Sequence, residues 1–138
     1  MSRNSRGFTL IELLVVITVI AVLAGLVGPM VFRNVGDAKL TAAKAQLELF
    51  GLALDQYRLD NDYYPSTAQG LEALRSAPQG EPAAHNWRGP YLKKPVPLDP
   101  WGRAYAYAVN GTAYSLFSLG RDGRDGGEGE DHDIGRDQ

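Results

Sequence analysis

The stretch Gly7-Phe8-Thr9-Leu10-Ile11-Glu12, continuing as LLVVITVIAVLAGLVGPMVF to Phe32, decides the reading of this chain. Between Phe8 and Phe32, Glu12 is the only ionisable side chain. At about 1.5 Å rise per residue, roughly 20 apolar residues cross a bilayer core as a helix, so residues 8–32 are a transmembrane candidate. The preceding residues carry Arg3 and Arg6, which by the positive-inside rule stay cytoplasmic while the rest of the chain crosses. A secretory signal peptide has a shorter apolar region and a small-residue cleavage site, and neither is found here. A passive anchor does not account for Glu12, because a carboxylate inside an apolar helix costs a few kcal/mol and is usually paired and functional.

Working outward, Leu40, Ala43, Leu47, Phe50, Leu54 and Tyr57 recur at helical spacing, with Lys39, Lys44, Glu48, Asp55 and Arg58 off that stripe. This predicts one helix from Phe8 to about Leu59, roughly 75 to 80 Å long at about 1.5 Å per residue, with its second half packed on a head. The stripe is core rather than a cofactor site, and it is too short and too aromatic for a coiled coil. Gly25, Gly28 and Pro29 predict local melting within the helix. Asp60-Asn61-Asp62 and Tyr63-Tyr64-Pro65 should end it, and Ser66-Thr67 should cap a short helix through Gln69–Leu74. Six prolines between Ser76 and Pro100 predict an ordered loop pinned by Trp87, Tyr91 and Leu92. Residues 103–109 alternate, Asn110-Gly111 signals a hairpin, and Thr112 to Leu119 returns as a second strand. The fold class is therefore α+β: a long amino-terminal helix on a small head with a short antiparallel sheet.

The 138 residues suffice for one small domain and carry 14 Lys+Arg against 16 Asp+Glu, with no Cys. Disulfides and thiol chemistry are excluded, and the near-neutral charge argues against nucleic-acid binding. The acidity is local, since residues 121–138 hold 3 basic and 7 acidic side chains, leaving 11 against 9 elsewhere. Six carboxylates fall between Asp122 and Asp133 among glycines. Hard oxygens in a flexible loop suit calcium better than a soft metal, although the spacing is not that of an EF-hand. The alternative is a disordered acidic tail whose like charges repel. With two histidines, no Cys, no Gly-x-Ser-x-Gly and no phosphate loop, enzymatic templates find no footing.

The segment GFTLIE, behind a short basic leader and ahead of a long apolar helix, resembles the processing site of type IV pilin-like proteins. The segments YRLDNDYYPSTAQGLEAL and GPYLKKPVPLDPWGRAYAY further resemble the head of type II secretion system major pseudopilins. The resemblance implies a leader over residues 1–7, a membrane and fibre-core helix over 8–32 and a periplasmic head over 33–138. It implies cleavage by a prepilin peptidase between Gly7 and Phe8, N-methylation of Phe8, and a role in assembly for Glu12 beside Phe8. It also implies a helix that loosens near Pro29 in the fibre, and a single-pass inner-membrane protein that polymerises into a periplasmic pseudopilus driving export of folded proteins. The partners it implies are further copies of the chain, minor pseudopilins and an inner-membrane assembly platform. In this family the loop over residues 119–134 binds Ca2+. The pattern carries over to the carbonyl of Leu119 and to Asp122, with Glu128, Glu130, Asp131 and Asp133 as further candidates, because Gly129 falls where an Asp is common. Crowding these carboxylates without a cation is unfavourable, so the loop is expected to order only on binding. A type IV pilin, a minor pseudopilin, or a membrane-anchored calcium-binding module that never polymerises are the alternatives.

Overall fold

A computed structural model describes residues 7–136, so Arg3, Arg6 and the other leader residues before Gly7 lie outside the described residues. Helix α1 runs Leu10–Asn61. Thr9 caps it: its Oγ1 accepts the Glu12 N–H at 3.2 Å and its carbonyl accepts the Leu13 N–H, also at 3.2 Å. Contrary to the expected melting, the helix continues through Pro29. Proline removes one intrahelical bond, and the unbroken turns on both sides are long enough to carry that loss. The other end closes where Asp62 turns left-handed at φ 70° and Asn61 Nδ2 donates back to the Tyr57 carbonyl at 3.0 Å.

The chain divides into two compact units, one ending at Gly36 and one beginning at Asp37. The first is the apolar part of α1, with a mean hydropathy of 2.9 over its most apolar window and none of that window buried. Every large apolar side chain from Phe8 to Val35 is exposed. The second unit is the head. There the stripe forms the core, with Ala43, Leu47, Phe50, Leu54 and Tyr57 buried and Leu40 packed against them. Ala53, Leu71, Ala73, Leu74, Leu92, Tyr105, Leu116 and Ile134 complete it. The rings stack edge to face, Phe50 on Tyr105 at 5.2 Å and Tyr57 on Tyr91 at 5.6 Å.

The helix expected over Gln69–Leu74 is instead a 3-10 turn at Leu71–Leu74 with Gly70 at its amino end. Ser66 and Gln69 do exchange capping bonds, Gln69 N to Ser66 Oγ at 3.2 Å and Ser66 N to Gln69 Oε1 at 2.9 Å, but around the preceding turn. The proline-rich segment is pinned as expected: Trp87 Nε1 donates to the Ala73 carbonyl at 2.9 Å, and Tyr91 OH to Asp60 at 2.8 Å. Strands β1 (Ala106–Asn110) and β2 (Ala113–Phe117) pair antiparallel with Asn110 opposite Ala113. Both are shorter than expected, and the connection is Gly111-Thr112 with Gly111 at φ 60°, so glycine sits at its first position rather than its second. Residues 103–105 stay outside β1 because the Arg103 carbonyl accepts the Asp99 N–H at 2.7 Å, closing a turn.

Candidate functional site

Two regions carry the predicted functional residues. At the amino-terminal end, Gly7 and Phe8 precede α1 as exposed, non-helical residues, with Phe8 81% exposed. An exposed, irregular peptide bond is what a peptidase requires, since a helical one is held by its own hydrogen bonds. Glu12 follows in the first helical turn. The sequence Thr9-Leu10-Ile11-Glu12 is a capping-box spacing, and the helix amino terminus favours the negative charge placed there.

The acidic loop is built on a buried hub that sequence reasoning missed. Asp99 Oδ1 accepts the N–H groups of Trp101 and Arg103 at 3.0 and 2.8 Å, and Oδ2 accepts the Ser118 hydroxyl at 2.6 Å. Ser118 Oγ in turn accepts the Gly120 N–H at 3.2 Å. Ser118 and Ile134 then exchange both backbone bonds, at 3.0 and 2.9 Å, and tie the two ends of the loop together. Within it, Arg121 N donates to the Glu130 carbonyl at 2.8 Å, and Gly129–Asp131 forms a 3-10 turn. Glycine is required where strands of the loop touch. A Cβ at Gly120 would lie 2.7 Å from the Glu130 oxygen and one at Gly127 2.4 Å from the Asp131 oxygen, both at positive φ.

The candidate ligands are distributed as follows. Leu119 sits half-buried between Ser118 and Gly120, and Asp122 is exposed, its Oδ1 accepting the Arg124 N–H at 3.0 Å. Glu128 precedes the 3-10 turn and Glu130 lies inside it. Asp131 takes a two-pronged contact from Arg121, Nε to Oδ1 at 2.8 Å and Nη2 to Oδ2 at 2.9 Å. These bonds and the guanidinium charge hold its carboxyl below the usual carboxylate range. Asp133 is 3% exposed, and Oδ2 accepts the Gly126 N–H at 3.1 Å and Arg136 Nη1 at 2.6 Å. Burial pushes that carboxyl up, but the Gly126 bond and Arg136 outweigh it and leave it below the usual range. Its Oδ1 is buried with no hydrogen-bond partner. Among the described residues, no three His, Asp or Glu side chains are gathered as a metal cluster. A hard cation fits the orphaned Asp133 Oδ1 and the all-oxygen donor set, whereas Asp131 is already satisfied by Arg121.

Comparison with known proteins matches residues 2–28 to the prokaryotic N-terminal methylation motif and residues 30–137 to type II secretion system protein G. The type II secretion system core protein G of Pseudomonas aeruginosa is 49% identical over 136 residues, covering 96% of this chain and 95% of the relative. That of Vibrio cholerae is 43% identical, covering 96% and 92%. The crystal structure of the major pseudopilin from the type 2 secretion system of enterohaemorrhagic Escherichia coli superposes with a TM-score of 0.60 at 38% identity, covering 71% of this chain and 85% of that one. These matches select the major pseudopilin over a type IV pilin or a minor pseudopilin. An exposed apolar helix behind a methylation motif, on a head of this fold, places the chain in the type II secretion system protein G family, as a structural pseudopilin and not an enzyme.

Proposed function

We propose that this pseudopilin is inserted in the inner membrane as a precursor with its head in the periplasm, cut between Gly7 and Phe8 by a prepilin peptidase, N-methylated on Phe8, and polymerised into a periplasmic pseudopilus. Its partners are further copies of itself, minor pseudopilins and an inner-membrane assembly platform, and its growth drives folded proteins out through the outer membrane. The observation that carries this reading is the apolar surface of α1, of which the described residues bury nothing in its most apolar window. Surface of that extent is stable only in lipid or against other apolar helices, and a fibre of copies supplies the second. A membrane-anchored module that never polymerises would need no Glu12. Mass spectrometry of the mature amino terminus tests it: the expected species begins at N-methylated Phe8, and a chain still beginning at Met1 sinks the reading.

The acidic loop is read as a calcium site. The Leu119 carbonyl, Asp122 and the free Oδ1 of Asp133 would hold the cation, with Glu128 or Glu130 completing the oxygens. Bound calcium would supply the positive charge that offsets the remaining carboxylates. Calorimetric titration of the full chain in detergent micelles should show saturable calcium binding that Asp122→Ala abolishes; unchanged binding in that variant discards this donor set.

A further inference from the structure

The base of the acidic loop is made by core residues. Ser118 is 0% exposed and Asp99 4%, and both precede the loop's first carboxylate in the chain. Their hydrogen bonds form a relay that runs in one direction. The N–H groups of Trp101 and Arg103 fix Asp99 through Oδ1, at 3.0 and 2.8 Å. Asp99 Oδ2 accepts the Ser118 hydroxyl at 2.6 Å. A hydroxyl has a single proton, and with that proton committed to Asp99 the lone pairs of Ser118 Oγ are left for the Gly120 N–H, which donates to it at 3.2 Å.

This last bond sets the direction of a carbonyl. The Gly120 N–H and the Leu119 C=O belong to one planar peptide, and in a trans peptide the two point opposite ways. Holding the N–H on Ser118 therefore turns the Leu119 oxygen away from the hub. The next two carbonyls, of Gly120 and Arg121, accept from Arg103 Nη1 at 3.1 and 2.8 Å. On the returning chain, the antiparallel Ser118–Ile134 bridge sets Leu119 and Asp133 in the next opposed positions. Asp133 carries the buried carboxylate oxygen, Oδ1, that has no hydrogen-bond partner. The relay and the bridge thus bring two oxygens suited to a hard cation to the same end of the loop.

We infer, resting on the calcium reading, that Asp99 and Ser118 are positioning residues for the cation: through the Gly120 N–H they aim the Leu119 carbonyl. Groups that orient a metal's ligands typically change its affinity about 10- to 100-fold when removed.

The test is calorimetric titration of the full, processed chain in detergent micelles with Ca2+ alone, below the melting temperature of each variant in chelator. Ser118→Ala is expected to weaken calcium binding about tenfold or more. Asp99→Asn keeps an oxygen for the N–H groups of Trp101 and Arg103 but puts an NH2 donor against Ser118 Oγ, where it competes with the Gly120 N–H, and a comparable loss is expected. Leu54→Ala, which opens a cavity in the head far from the relay, is the control for lost stability and is expected to shift the affinity less than about twofold. Wild-type affinity in Ser118→Ala overturns the inference and leaves the calcium reading standing. So does a loss in Leu54→Ala as large as that in Ser118→Ala, which would make the effect one of head stability. If Ser118→Ala does not fold, Asp99→Asn decides by the same measure. A wild-type chain that binds no Ca2+ ends the calcium reading and the inference together.

Discussion

Residues 10–36 and residues 37–61 of α1 share one unbroken helix but have unlike surfaces. In the first, apolar side chains point in every direction, and Leu10, Leu26 and Phe32 are 83%, 71% and 78% exposed. In the second, apolar residues at alternating spacings of three and four make a single stripe, and Ala43, Leu54 and Tyr57 reach 0%. Apart from the one bond that Pro29 cannot donate, the backbone forms the same helical ladder in both. The difference is where the hydrophobic surface finds its partner: the head supplies it for the second part, and nothing among the described residues supplies it for the first. Secondary structure therefore does not separate a helix that folds a protein from one that assembles it, whereas the distribution of apolar side chains around the axis does.

The largest effect that would sharpen this contrast is on assembly. Glu12→Ala is expected to abolish fibre formation, scored by electron microscopy and cross-linking, with the melting of the head unchanged. The proposed cause is the loss of the carboxylate that pairs with the amino group of Phe8 in a neighbouring subunit, leaving a buried charge uncompensated. Normal fibres from that variant would remove Glu12 from the assembly mechanism. Next comes packing: Leu54→Ala should cost the head about 2–5 kcal/mol by opening a cavity, while Ile17→Ala leaves its melting temperature unmoved. A fall with Ile17→Ala would break the comparison directly. The smallest effect under ordinary conditions concerns the buried phenols. Burial pushes Tyr57 and Tyr105 up from their ordinary value of 10.0 to about 12. Because the fold prefers the neutral phenol, this contribution is complete below pH 10 and is lost as pH rises towards 12. Phenolate absorbance and loss of helical circular dichroism should therefore rise together in that window. Free ionisation near pH 10 with the helix intact would show these rings to be accessible.

The stripe was readable because its signal is local: spacing alone identifies a face that buries, and the residues off it, Lys44, Glu48, Asp55 and Arg58, are exposed. The hairpin was readable in kind but displaced by one residue, since Asn110-Gly111 supports a glycine at either central position and pairing across the strands decides. Asp99, Ser118 and Arg103 could not have been foreseen. Each is an ordinary polar residue, and what makes them a hub is chain distance closed by the fold. The loop is the instructive case, because counting its acids predicts repulsion, while Arg121 and Arg136 sit at the intervals that let each reach a carboxylate ten or eleven positions away.

The exchange of backbone bonds between Ser118 and Ile134 has an entropic consequence. It pins both ends of residues 119–133, so the loop is a closed ring whose length is decoupled from the rest of the head. Ring-closure entropy rises only logarithmically with length, about 0.6 kcal/mol for each doubling. Insertions or deletions between Asp122 and Glu128 that spare the arginine partners are thus cheap, whereas the same change inside the helix or the hairpin would shift a buried face or a strand register.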